Sequence, residues 1–167
     1  WLAQHPLIKV GVDASWQPFD YVNDKNEHLG IASEYIKYLE KKLGIKVEIV
    51  SGVWDEVLNK AKNREVDILA CIANTPKRRE FLLFTQDYLN IKTVIITQTS
   101  SNNIFNIQNL MGKKVAVAKG NFVQDLLESH YPNIQLVLTN TNEEALKAVA
   151  LGQADAHIGN IATATYF

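Results

Sequence analysis

Two stretches, NREVDILACIAN (residues 63–74) and ALGQADAHIGN (residues 150–160), decide how this chain is organised. Each passes from a helix end through an Asp into a short strand and stops at an Asn. DILACI is apolar almost throughout, as strands buried on both faces of a parallel sheet are. Working outward from each stretch finds the same series of elements. Before the first stretch come a strand IKVGV (8–12), a loop rich in aromatics and a helix IASEYIKYLEKKLG (31–44). That helix has an apolar stripe at Ile31, Tyr35, Tyr38, Leu39 and Leu43 and a Gly stop. A strand KVEIV (46–50) and a helix VWDEVLNKAKN (53–63) follow, the helix turning Val53, Val57, Leu58 and Ala61 inward. The second half repeats the plan: strand KKVAVAKG (113–120), helix FVQDLLESHY (122–131), strand IQLVLTN (134–140), helix NEEALKAVALG (142–152), strand ADAHIGN (154–160). On the last helix Ala145, Leu146, Val149 and Ala150 share one face.

Two βαβαβ series can share one doubly wound sheet or form two lobes. Between them, FTQDYLNIKTVIITQTSSNNIFNIQNLMG (84–112) holds a β-rich run and then a polar Ser/Asn stretch. A strand crossing from one compact body to another accounts for this better than a βα loop does. The expectation is therefore an α/β protein of two lobes with a cleft: residues 1–96, including the crossover strand, and residues 97–167. Ligands of open α/β sheets sit at the carboxyl ends of the strands. The loops at 13–19, 51–54, 73–78, 119–122, 139–142 and 160 are thus the ones to watch.

Composition narrows the function. The chain has 167 residues and a net charge of −1 with both signs interspersed, so neither a nucleic-acid surface nor a polybasic membrane surface is expected. No apolar run approaches the length of a membrane span. The lone Cys71 allows no internal disulfide and reads as a small core residue within DILACI. His5, His28, His130 and His157 show no ligand spacing, so no metal and no cofactor are expected.

One segment breaks a local rule. In ANTPKRRE (73–80), Thr75 and Pro76 signal a helix start, yet Lys77, Arg78 and Arg79 crowd the first turn. Cations are unfavourable at the positive end of a helix dipole. Either they are solvated surface residues or an anion is expected there. Trp16 and Phe19 in DASWQPFDY are also too aromatic for an ordinary polar loop.

WLAQHPLIKVGVDASWQPFDYVNDKNEHLGIASEYI (1–36), ANTPKRREFLLFT (73–85), NLMGKKVAVAKG (109–120) and EALKAVALGQADAHIGNIATATY (144–166) resemble successive motifs of the family 3 periplasmic solute-binding fold. The nearest likeness is to the Venus-flytrap sensor domains of bacterial membrane histidine kinases and diguanylate cyclases. The likeness covers essentially the whole chain, in order. It implies a two-lobed, type II periplasmic-binding-protein fold. It also implies that such a chain continues past a helix beginning near Ile161 and returns to add a strand and helix to the first lobe. This sequence stops at Phe167. A fold lacking the return segment is expected, with a sheet edge open to dimerisation.

The resemblance also assigns roles. Arg78 falls where the TPxR motif places the arginine that grips a ligand carboxylate, a pairing its planar guanidinium suits. Thr75 reads as the helix cap, a role that does not exclude ligand contact, and Ala73 fills a slot that often holds Ser or Thr. Trp16 is either a ligand wall or core; Phe19 reads as core. Asp13, at the end of the first strand, either meets a ligand cation or caps its loop. In the second lobe, Asn121 and Phe122 follow Gly120 where amino-acid binders commonly carry a hydroxyl residue. Asn160 replaces the usual ammonium-binding aspartate, unless it only caps the next helix. With Asn160 unable to neutralise an ammonium, a small carboxylate-bearing metabolite is expected before an ordinary amino acid.

The leading expectation is a periplasmic sensor domain, membrane-anchored through its parent protein, whose ligand shifts an open–closed equilibrium read by a signalling output. The alternative is the solute-binding protein of an amino-acid or organic-acid transporter. A dehydratase on the same fold would need a poised acid or base; Asp13 alone qualifies, so no enzyme is expected.

Overall fold

The computed structural model describes residues 4–167; Trp1, Leu2 and Ala3 of the opening WLAQHP, which resembles a sensor-domain linker, lie outside the described residues. The chain divides into two compact units, one ending at Gln86 and the other spanning Asp87–Phe167.

In the first unit, β1 (Leu7–Asp13) is the central strand of a three-stranded parallel sheet. Its even positions Ile8, Val10 and Val12 are buried and cluster with Ile36 of α1 (Ile31–Leu43), so side-chain alternation turns them onto one face. The other face must admit α2 (Trp54–Lys62) closely. A Cβ on Gly11 would lie 2.7 Å from Leu69 and 2.9 Å from Val57, so only glycine fits there. β5 (Lys46–Gly52) runs alongside β1 in register from Leu7↔Lys46 to Asp13↔Gly52. β6 (Ile68–Leu69) pairs β1 through Val10↔Ile68 and Gly11↔Leu69 and ends the sheet. Between β1 and α1, β2 (Ser15–Trp16), β3 (Asp20–Val22) and β4 (His28–Leu29) form a small antiparallel sheet. A one-turn helix, α3 (Pro76–Arg79), follows β6.

The second unit is a sheet of order β7-β10-β8-β9: β7 (Thr93–Thr97), β8 (Lys114–Ala118), β9 (Gln135–Thr139) and β10 (Ala156–Asn160). Helices α4 (Phe122–His130), α5 (Asn142–Ala150) and α6 (Ile161–Tyr166) alternate with the strands. Alternation along β8 splits the core. Val115 and Val117 join Val123, Leu127 and Ile134 on the α4 side, while Ala116 joins Ala145, Ala148, Val149 and Ala154 on the α5 side.

The structure departs from the sequence reading at several points. The apolar run at 93–97, assigned above to residues 1–96, is β7 and pairs antiparallel with β10, so it belongs to the second unit's sheet. The aromatic loop after β1 contains three short strands instead of irregular chain. DILACI is not a doubly buried strand: only Ile68 and Leu69 pair, and Ile68 is 38 % exposed because β6 has β1 on one side only among the described residues. Finally, α1 turns Ala32, Ser33 and Ile36 to the core and leaves its whole apolar stripe exposed, from Ile31 to Leu43. The helices α2 and α5 follow the 3.6 period, with Trp54 joining Val57, Leu58 and Ala61, and Ala148 taking the inward place expected for Ala150.

Candidate functional site

In the first unit, three segments meet at one sheet edge. Asp13 ends β1, Gly52 pairs with it at the end of β5, and Ala73–Arg78 follow β6, the other partner of β1. This is the carboxyl edge of the strands, where α/β sheets present their ligand loops.

Thr75 caps α3: its backbone is extended (φ −129, ψ 155) and its hydroxyl accepts the Arg78 N–H at 3.3 Å. Pro76, with its fixed φ and no N–H to satisfy, opens the turn. One turn is enough to sort the three cations. Lys77 and Arg79 are exposed, Arg79 donating to Asn74 Oδ1 at 2.7 Å, whereas Arg78 is only 3 % exposed. The Arg78 guanidinium donates through Nη1 to the Ala73 carbonyl at 3.0 Å and lies 5.5 Å from the centroid of the Trp54 ring. Thus Ala73, Thr75 and Arg78 form one local arrangement, and Trp54, absent from the sequence reading of the site, orients its cation.

The loop after β1 is organised by a buried acid pair. Asp13 Oδ1 accepts from the Ser15 N–H at 2.9 Å and the Ser15 hydroxyl at 3.3 Å. The Asp13 N–H donates to Asp20 Oδ2 at 3.1 Å, and Asp20 Oδ1 lies 2.7 Å from His28 Nε2. Asp20 thereby ties the end of β1 to the β3–β4 hairpin. Burial pushes the Asp13 carboxyl up to about 7; the Ser15 N–H and hydroxyl pull it down, and the neighbouring Asp20 pushes further up. Burial likewise raises Asp20, against the lowering influence of His28. The signal for this network in the sequence was an acid set in the otherwise apolar PFDYV run. Phe19 is core at 4 % exposure. Trp16 is half-buried against it, with ring centroids 5.3 Å apart.

In the second unit, Asn121 and Phe122 follow β8, and Asn160 ends β10, which pairs in parallel with β8. Again these are carboxyl ends of adjacent strands. Gly120 adopts φ 70, a turn that favours glycine, and Asn121 caps α4 by accepting the Val123 N–H at 3.0 Å. Phe122 leans on the core beside Val123 and Leu127. Asn160 caps α6, its Oδ1 accepting the Thr163 N–H at 2.8 Å. The capping contact left open for Asn160 is thus present. Among the described residues, no group of three His, Cys, Asp or Glu is placed to hold a metal ion, and no helix is long and apolar enough to cross a membrane.

The chain is similar to the virulence sensor protein BvgS of Bordetella pertussis, 28% identical over 168 residues; the match takes in all of this chain and 14% of that protein. The crystal structure of the periplasmic VFT2 domain of B. pertussis BvgS superposes with a TM-score of 0.83 at 28% identity, over 99% of this chain and 71% of that one. The crystal structure of an ancestral amino acid-binding protein, AncCDT-1, a precursor of cyclohexadienyl dehydratase, superposes with a TM-score of 0.85 at 26% identity, over 99% of this chain and 74% of that one. The chain thus has the two-lobed periplasmic-binding-protein fold over about three quarters of these structures' length. With the family profile matching residues 8–158, the chain belongs to the bacterial extracellular solute-binding proteins, family 3.

Proposed function

We propose that this chain is an extracytoplasmic ligand-sensing domain that binds a small carboxylate-bearing solute and signals by an open–closed change to a membrane-anchored output. The observation that carries the reading is the placement of Arg78. Its side chain is 3 % exposed at a strand-end edge, with Nη1 donating to the Ala73 carbonyl and the guanidinium over the Trp54 ring. A planar guanidinium held at such an edge can take a ligand carboxylate through two parallel hydrogen bonds. Asp13 and Trp16 complete the first unit's contribution, Trp16 with a buried indole Nε1 that donates to no group among the described residues. In the second unit, Asn121, Phe122 and Asn160 are the candidate residues at the strand ends. Similarity to a sensor's periplasmic domain favours sensing; membership of an extracellular solute-binding family supports delivery to a transporter as the second reading. A dehydratase reading would need Asp13 as its acid or base, and no relative named above is itself described as an enzyme.

A thermal-shift screen of small organic acids and amino acids on the native protein, Arg78→Ala and Arg78→Lys tests the site. A ligand at about 100 times its Kd should stabilise the native protein by roughly 2.7 kcal/mol. The response should vanish in Arg78→Ala and be largely lost in Arg78→Lys, which keeps the charge but not the fork. Equal shifts in all three proteins would remove Arg78 from the site.

A further inference from the structure

We infer that Asp13 is a proton-switched specificity residue of the ligand site, admitting a carboxylate when it carries a proton on Oδ2 and repelling one when it does not, with Asp20 and His28 as its positioning residues. The inference rests on the proposed reading of Asp13 as a ligand contact and gives that contact a sign.

The geometry is specific about which oxygen is available. Asp13 is 7 % exposed, and Oδ1 is committed to the Ser15 N–H and hydroxyl. Oδ2 takes no hydrogen bond from the described residues, so it is the atom a proton or a ligand reaches. Protonated, Oδ2 donates to a ligand oxygen; ionised, it can only accept, and two anions would face each other in a desolvated setting. Behind Asp13, Asp20 receives the Asp13 N–H on Oδ2 and faces His28 Nε2 with Oδ1. Asp20 is fully buried, so in its ionised form it acts on Asp13 with little screening.

The surroundings leave this pair in control. α1 turns Ala32, Ser33 and Ile36 inward; its Glu34, Lys37, Lys41 and Lys42 are exposed, and Glu40 is occupied by the Val47 N–H. β5 brings Ser51 and Gly52 to the end of β1, with Lys46 and Glu48 exposed, and β6 brings Ile68 and Leu69. α2 turns Trp54, Val57, Leu58 and Ala61 inward; Asp55 and Lys60 are half-buried, and exposed Glu56 comes near Gly52. On the 23–27 turn, Asp24, Lys25 and Glu27 are exposed. Arg78, after β6, is directed to Ala73 and Trp54. Desolvation places the Asp13 titration near neutrality, where such a switch is useful.

The test combines side-chain carboxyl NMR with calorimetry. A pH titration of the protein, with the Asp13 signal assigned by its loss in Asp13→Asn, should show a midpoint between about 6 and 8; a midpoint below about 5 overturns the inference. His28→Asn, which removes the partner that favours the charged form of Asp20, should lower that midpoint; an unmoved midpoint overturns the positioning role. Pyruvate, succinate, benzoate and L-glutamate are then titrated at pH 6 and pH 8. If only the protonated form binds and the midpoint is about 7, a binding acid is about tenfold tighter at pH 6. Asp13→Asn should bind it equally at both pH values. An acid that binds the native protein equally at both pH values overturns the inference and leaves the proposed function standing. Binding of none of the four at either pH sinks both.

Discussion

The Arg78 guanidinium lies over the Trp54 ring, 5.5 Å from its centroid, so the side chain that opens α2 fixes the direction of the cation that follows β6. Replacing Trp54 by Leu should remove the π face while keeping an apolar filler. A loss of about 1–3 kcal/mol in urea unfolding is expected. Carboxylate binding should weaken in step, because an Arg78 free to rotate pays more to align with its ligand. Trp54→Phe should recover most of both. Full-strength binding by Trp54→Leu would show that the ring supports the fold alone.

Asp13 gives the first unit an unusual pH dependence. Its folded value, about 7, is above the ordinary 3.8. Between these values the folded protein holds a proton that the unfolded chain has released. The stabilising contribution is therefore present in acid and lost as pH rises through the range up to about 7. Asp13→Asn, which keeps an acceptor for Ser15 and cannot ionise, should stabilise the protein by about 1–3 kcal/mol at pH 8 and by much less at pH 5. Urea midpoints at the two pH values would check this, and a gain at pH 5 alone would contradict it.

His157 makes the opposite slope in the second unit. The ring is 2 % exposed and its Nδ1–H donates to the Ala116 carbonyl at 2.8 Å. Burial lowers its affinity for a proton below the ordinary value of 6.5, despite that hydrogen bond. The unfolded chain then takes up the proton more readily, so stability is full above about pH 6.5 and falls as the solution is acidified. Hydrogen exchange of the β8 and β10 amides at pH 7.5 and pH 5.5 should show loss of protection in acid. His157→Gln should flatten that response.

Next to it, Gly159 has no room for a side chain: a Cβ there would run into His157 Nε2. Gly159→Ala should cost about 1–3 kcal/mol through crowding. Combining it with His157→Ala should cost less than the sum of the two single changes. Strict additivity in the double-mutant cycle would mean that the strand relaxes elsewhere.

What the sequence made legible follows from period. In α2, Val57, Leu58 and Ala61 recur at helical spacing and are buried; in β8, alternation separates Val115 and Val117 from Ala116. Thr75 and Pro76 gave away the start of α3 because cap chemistry is local. Partnership was not local. TVIIT reads as a strand, but nothing within it says that β10, some 60 residues later, is its neighbour. The α1 stripe misleads for a related reason: periodicity finds an apolar face, whereas small Ala32 and Ser33 let the other side of the helix approach the sheet. The Asp20–His28 contact joins residues on two short strands of a hairpin that looked like loop. Trp54 was hidden because an aromatic at a helix start reads equally well as core.

That outward-facing stripe governs how the molecule behaves in bulk. Ile31, Tyr35, Tyr38, Leu39 and Leu43 meet water along one helix, while a net charge of −1 and a pI near 6.5 leave little repulsion to keep copies apart near neutrality. Colloidal solubility should therefore fail before the fold does, most readily around pH 6.5. Glu or Lys in place of Tyr38 and Leu43 should raise the concentration ceiling while leaving the melting temperature where it was.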